Sequence, residues 1–394
     1  VSKINLFKAI KYLVFAVPFF VVPSIGHSET ANIYTAAALD AKEKYLTNLA
    51  EKLNQYQFVP LKAGNTTPSA WIIKNSTGTN VGLLKCTSGN NFAQAEIATY
   101  SLGRLLNFPV YPVTIGADVS PVLAKQLGIT PQVCALKEWL DNWSIVYWKA
   151  QANIAKIVKE KRYDAYKAKN TFLSGTGDNR KLADTLMGLN DLNQVKNDSI
   201  RLSSNIKTRN GSPLINNKPT YFTSTPVSLL DTARDLSNIM VLDAVIGNGD
   251  RFPGLNLEMR SAINKVIIKD KEIVVVQPRF SSLDTGLSFK GWQPTWGRLE
   301  VTYYLRRFDP EMIKRLTTLL KQLNQLTPAD LATDKWSFLN FKTQINSKIT
   351  ARDYLITNIK WVLDFVKKVE TKTHQEFIPD KTSPHDQAYI SAYP

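Results

Sequence analysis

Lys85, Glu96, Asp250, Asn256 and Asp284 are the residues of this 394-residue chain whose types, order and settings could do chemistry together. Lys85 ends the strand-like run "VGLLK", and Glu96 lies on the helical segment that follows. Asp250 stands in "LDAVIGNGDRFPGLN", where an apolar helix runs into a glycine-flanked turn, and Asn256 comes six residues later. Asp284 sits in "SSLDTG", behind the strand-like "EIVVVQP". Phosphoryl transfer uses groups of these kinds. A strand lysine can hold nucleotide phosphates, and a glutamate on the neighbouring helix can fix that lysine by an ion pair. An aspartate beside the nucleophile can orient a hydroxyl and accept its proton. An Asn and a second aspartate supply the oxygen ligands that magnesium prefers. Each residue alone has an ordinary structural reading, since a lysine at a strand end lays its stem along apolar surface and Asp-Thr-Gly often forms a simple turn. Their order along the chain is what joins them.

Competing chemistries lack their residues. The three histidines are His27, His374 and His385, so the body of the chain has none. That excludes there a Ser-His-Asp triad, a Cys-His pair and a histidine-rich metal site. Cys86 and Cys134 are too few for a disulfide scaffold or a four-cysteine zinc site, and two buried free thiols are the expectation.

The elements that must position these residues follow from pattern. Ala38 to Gln57 has helical spacing. "SAWIIKN" and "NVGLLKC" flank "STGT", whose Gly78 suits a turn, and together they predict a hairpin. In "AQAEIATYSLGRLL", Ala95, Ala98, Leu102 and Leu105 share one helical face. "FPVYPV" ends that helix, because a residue before proline avoids the helical region. "PQVCALKEWL" reads as a further strand. From about Trp139 onward helices are expected to dominate. Asp309 is placed to cap a helix begun by Pro310, and Thr350 with Asp353 resembles a capping box. The expected class is α+β: a small sheet-plus-helix half, then a mainly helical half.

"AGNTTPSAWIIKNSTGTNVGLLK", "AEIATYSLGRLLNFPVYPV", "LDAVIGNGDRFPGLN" and "LDTGLSF" are similar, in that order, to the motifs of an atypical kinase group. It includes HipA-like kinases, phosphatidylinositol 3/4-kinase-like proteins and the secreted Golgi casein kinase family. The resemblance runs from Ala63 to Phe289. It implies a bilobal protein-kinase-like fold binding ATP and Mg between the lobes. On this basis Lys85 and Gly64 would contact nucleotide, Glu96 would pair with Lys85, and Asp250 would be the catalytic aspartate. Asn256 and Asp284 would hold the metal, and backbone groups from Leu136 to Glu138 would form the hinge against adenine. It also implies that Cys86 and Cys134 lie close together, 48 positions apart. Two departures stand out: Phe252 occupies a place where many members carry His, and Asn256 follows Asp250 by six residues where the protein-kinase pattern has five.

The domain organisation expected is a signal peptide at 1–28, an N-lobe with an N-terminal helix at 29–138, a C-lobe at 139–370 and a mobile tail at 371–394. A polar insertion falls at about 142–223. The signal reading rests on Lys3, Lys8 and Lys11, the apolar run Tyr12 to Val22, and the small residues around Gly26 and Ser28. It predicts a secreted or periplasmic protein. With 49 Lys+Arg against 33 Asp+Glu the net charge is +16, which favours an anionic partner such as an acidic membrane surface. No nucleic acid is expected. Between Lys149 and Asn170 seven basic residues stand against two acids, either as a solvated helix face or as contact with an anionic surface. The residues leave open an active kinase with an unidentified hydroxyl acceptor, an AMP-transferring enzyme, an inactive pseudokinase or scaffold that binds nucleotide without turnover, and a basic exported binding protein.

Overall fold

Alternation of apolar and polar residues around short turns builds the first half of the chain. A computed structural model describes residues 36–61, 69–87, 93–108, 110–140, 143–145, 178–200, 227–248, 257–268, 271–282, 285–286, 288–289, 298, 301–302, 305–333, 335–343 and 348–373. The strands β1 (Gln57–Pro60), β2 (Ala70–Lys74), β3 (Asn80–Lys85), β4 (Thr114–Asp118) and β5 (Val133–Glu138) form one antiparallel sheet in the order β1-β2-β3-β5-β4. The predicted hairpin is β2 with β3, and Gly78 takes the left-handed φ of 80° that its turn requires.

Two helices sandwich this sheet. Helix α1 (Ala36–Ala50) lies on the face carrying Gly82, where a Cβ would stand 3.1 Å from Leu49. Helix α2 (Ala93–Leu105) lies on the opposite face. Successive residues of a strand point to opposite sides, so Lys85 and Lys137 face α2 while Gly82 and Leu84 face α1. Helix α1 stops at Ala50, seven residues before the expected end. A short 3-10 turn, Leu53–Gln55, leads into β1. Pairing of Gln57 to Pro60 with β2 outcompetes the helical spacing there. Helix α3 (Pro121–Leu127) connects β4 to β5 and is capped by Ser120 and by Gly128, at φ 69°.

The second half is mainly helical, as expected. It contains α4 (Asp178–Leu186), α5 (Leu192–Val195), α6 (Leu229–Ile246), α7 (Pro310–Gln325) and α8 (Ala351–Thr373). Every residue of α6 is buried, and it packs against α4 and α8. The predicted caps are present: Asp309 accepts from the Glu311 amide behind Pro310, and Thr350 accepts from the Asp353 amide. Helix α8 continues to Thr373 and so takes in the first three residues of the expected tail.

Two strand groups interrupt the expected run of helices. Strands β9 (Leu257–Ile268) and β10 (Lys271–Ser282), twelve residues each, pair antiparallel, and β6 (Trp143–Ile145) joins them through β9. A small pair, β7 (Ser199–Ile200) with β8 (Val227–Ser228), lies before α6. "EIVVVQP" had marked β10, and β9 is its β-branched counterpart. Among the described residues no helix is long and apolar enough to cross a membrane. The expected signal segment and the basic stretch after Lys149 lie outside the described residues.

Candidate active site

The last residue of β3 and the first turn of α2 meet at a buried ion pair. Lys85 Nζ donates to Glu96 Oε1 at 2.5 Å, and both side chains are buried. Glu96 in the first helical turn also complements the positive end of the helix dipole. The predicted Lys-Glu pair is therefore formed.

A second lysine completes it. Lys137 Nζ donates to Glu96 Oε2 at 2.5 Å and is buried as deeply as Lys85. The register explains why. Lys85 lies opposite Ala135 and Leu83 opposite Lys137, so the two lysines stand diagonally on one face of adjacent strands. A third donor reaches the same carboxylate: Thr285 Oγ1 gives a hydrogen bond of 3.2 Å to Oε2. Burial pushes the Glu96 carboxyl upward, but the charges and hydrogen bonds of Lys137 and Lys85 outweigh it and hold the group well below the usual carboxylate range.

Thr285 directly follows Asp284 in the chain, and its segment also touches the end of α6. The Phe289 amide donates to the Ile246 carbonyl at 2.8 Å. Helix α6 closes there on Gly247 in the left-handed conformation, at φ 69°. The buried Asn248 side chain donates to Asp243 Oδ1, and its amide donates to the Asp243 carbonyl. Helix α8 supports this end from behind. Asn358 Nδ2 donates to the Val245 carbonyl, and Arg298 donates to Asn358 Oδ1. The Tyr354 hydroxyl occupies the space a Gly247 side chain would need. Thr285 thus reaches Glu96 on α2, and Phe289, four residues on, reaches the end of α6.

Of the predicted site residues, Lys85 and Glu96 are brought together. Asp250, Asn256, Asp284 and Gly64 lie outside the described residues. Leu136 is a fully buried residue of the central strand, in register with Leu84 and Ile115. The Glu138 side chain turns to the other face, where Lys42 of α1 donates to Oε2 and the Val113 amide to Oε1. The Glu138 amide donates to the Val113 carbonyl. The residues missed from sequence are Lys137 and Thr285. Lys137 had one signal, a cation directly behind the apolar run "VCAL".

The two cysteines correct an expectation. Cys86 and Cys134 are not free thiols but a disulfide, with Cα atoms 4.4 Å apart. Each follows or precedes the Lys85↔Ala135 pair by one residue, so antiparallel pairing places them directly opposite.

No protein-family model and no curated protein matches the sequence. Solved structures do. The chain is similar to a crystal structure of the Golgi casein kinase with Mn/ADP bound, at 14% identity over 84% of this chain and 78% of that one, with a TM-score of 0.45. It is also similar to hydra Fam20 with sugar, at 14% identity over 83% and 89%, with a TM-score of 0.42. A third is the Helicobacter pylori proinflammatory kinase CtkA, at 11% identity over 81% and 98%, with a TM-score of 0.32. At these identities none of the likenesses assigns a side chain.

Chemically, the described residues offer a rigid cationic pair. An ammonium fixed on a strand end by a buried carboxylate suits a phosphate group. Among the described residues no cluster of three or more metal-ligating side chains occurs.

Proposed function

We propose that the protein is an exported atypical kinase that transfers the γ-phosphate of ATP to a hydroxyl acceptor. The observation that carries this reading is the buried Lys85–Glu96 ion pair between β3 and α2, with Thr285, the residue after Asp284, hydrogen-bonded to the same carboxylate. In this reading Lys85 binds the nucleotide phosphates. Asp250 orients the acceptor hydroxyl and takes its proton, as that oxygen bonds to the γ-phosphorus and ADP departs with the electrons of the broken P–O bond. Asn256 and Asp284 are the residues that would hold Mg, which neutralises phosphate charge when bound. The hinge contact to adenine is assigned to backbone around Leu136 to Glu138, and Gly64 to the loop over the phosphates.

The disulfide supports the export part of the reading, because such bonds persist in oxidising compartments. The basic charge supports contact with an acidic membrane surface, salt-sensitive and strongest for Lys149 to Lys169. A second reading, nucleotide binding without turnover, is favoured by the six-residue interval from Asp250 to Asn256.

The test is incubation of the oxidised protein with Mg and ATP labelled on either the α- or the γ-phosphate, beside protein, lipid and glycan acceptors. Label arriving from the γ-phosphate supports the kinase. Label arriving from the α-phosphate means AMP transfer, and binding with no label transferred means the second reading.

A further inference from the structure

We infer that Lys137 is a positioning residue that holds Glu96 in place while Lys85 engages phosphate, an inference that rests on the proposed nucleotide site. The geometry divides the carboxylate between the lysines. Oε1 accepts from Lys85, while Oε2 accepts from Lys137 and Thr285. Both lysines stand on strands paired from both sides. Lys137 lies in β5 between Leu83 of β3 and Thr114 of β4, and Lys85 closes β3 between Ala70 of β2 and Ala135 of β5.

That division has a consequence for ligand binding. A carboxylate as buried as Glu96 is strongly disfavoured without a compensating cation. If Lys85 were its sole cation, any turn of the Lys85 ammonium toward a phosphate would weaken that compensation. With Lys137 and Thr285 on the other oxygen, the carboxylate stays paired and cannot rotate. Lys85 can then share its donors between Oε1 and a phosphate, since an ammonium has three N–H groups. The Lys137 side chain needs no contact with nucleotide, and the adenine contact assigned to its segment runs through backbone that Lys137→Met leaves in place.

The experiment compares ATP with adenosine, which fills the base pocket and carries no phosphate. Binding to the full-length oxidised protein is measured by calorimetry with Mg present, after circular dichroism and disulfide status have been checked. Lys137→Met is expected to weaken ATP binding about tenfold or more and to leave adenosine binding unchanged, while Lys137→Arg retains most of the ATP affinity. In a Glu96→Gln background, where no buried anion needs holding, Lys137→Met is expected to add no further loss. This second cycle also serves if Lys137→Met alone does not fold. Equal loss of ATP and adenosine in Lys137→Met would mean a merely structural role and overturn the inference. So would wild-type ATP affinity in Lys137→Met, or an undiminished loss in the Glu96→Gln background. A wild-type protein that binds neither ligand would remove the proposed nucleotide site, and the inference with it.

Discussion

Cys86 and Cys134 are bonded across β3 and β5 one residue beyond the pair Lys85 and Ala135, so the disulfide fixes the register that sets Lys85 and Lys137 on one face. A slip of one residue would turn one lysine to the other side of the sheet. Removing the bond by Cys86→Ala with Cys134→Ala is expected to lower stability by about 2–4 kcal/mol. Urea melts of wild type with and without reductant, beside the double variant, check this. Equal midpoints for oxidised wild type and the double variant would show that sheet pairing alone sets the register.

Glu96 predicts a pH dependence of stability. Its carboxyl is depressed in the folded protein, because the ammonium groups of Lys137 and Lys85 outweigh the opposing effect of burial. A depressed acid contributes stability that is fully present above its unfolded pKa, about 4.3 for glutamate, and lost as pH falls through the lower folded value. Glu96→Gln is therefore expected to cost about 3–5 kcal/mol near neutral pH. The difference from wild type should narrow steadily below about pH 4. Denaturant midpoints of the two proteins at a series of pH values provide the check, and a gap independent of pH would show that Glu96 is not held ionised by the lysines.

Gly247 should tolerate no side chain. Its φ of 69° costs an L-residue about 1–2 kcal/mol, and a Cβ would also overlap the Tyr354 hydroxyl. Gly247→Ala is expected to destabilise by more than the backbone penalty alone. Tyr354→Phe in the same chain should recover part of the loss, since the overlapping oxygen is gone, giving a non-additive cycle. Thermal melting of the four proteins measures it. Strict additivity would mean that the helix end moves away from α8 instead of pressing on it.

Local signals in the sequence carried the local features of the fold. Gly78 marked the hairpin, Asp309 with Pro310 and Thr350 with Asp353 marked two helix starts, and the order of Lys85 and Glu96 marked their pairing. What depended on pairing between distant segments was harder to see. Whether Lys137 faces solvent or Glu96 is decided by the register of β5 against β3, and the same register brings Cys86 to Cys134. Neither is written in the neighbours of those residues. Thr285 was hidden for a different reason: its partner is 189 positions away. The early end of α1 shows tertiary pairing overriding helical spacing, since β1 is needed as the edge of the sheet.

The proposed kinase separates binding from transfer, and two aspartates test the separation. Asp284 is assigned to the metal and Asp250 to the acceptor hydroxyl. Asp284→Ala is therefore expected to abolish the Mg-dependent part of ATP binding. Asp250→Ala is expected to leave that binding intact and to lower transfer by about 10²–10⁴-fold, the usual contribution of a positioned base. The described residues beside the two positions make contacts of their own: Thr285 bonds to Glu96, the Phe289 amide to Ile246, and Asn248 to Asp243. Circular dichroism checks the folding of both variants before calorimetry with ATP, with and without Mg, and transfer assays with γ-labelled ATP. Turnover unchanged in Asp250→Ala would remove it as the proton acceptor, and Mg-dependent binding unchanged in Asp284→Ala would move the metal to other ligands.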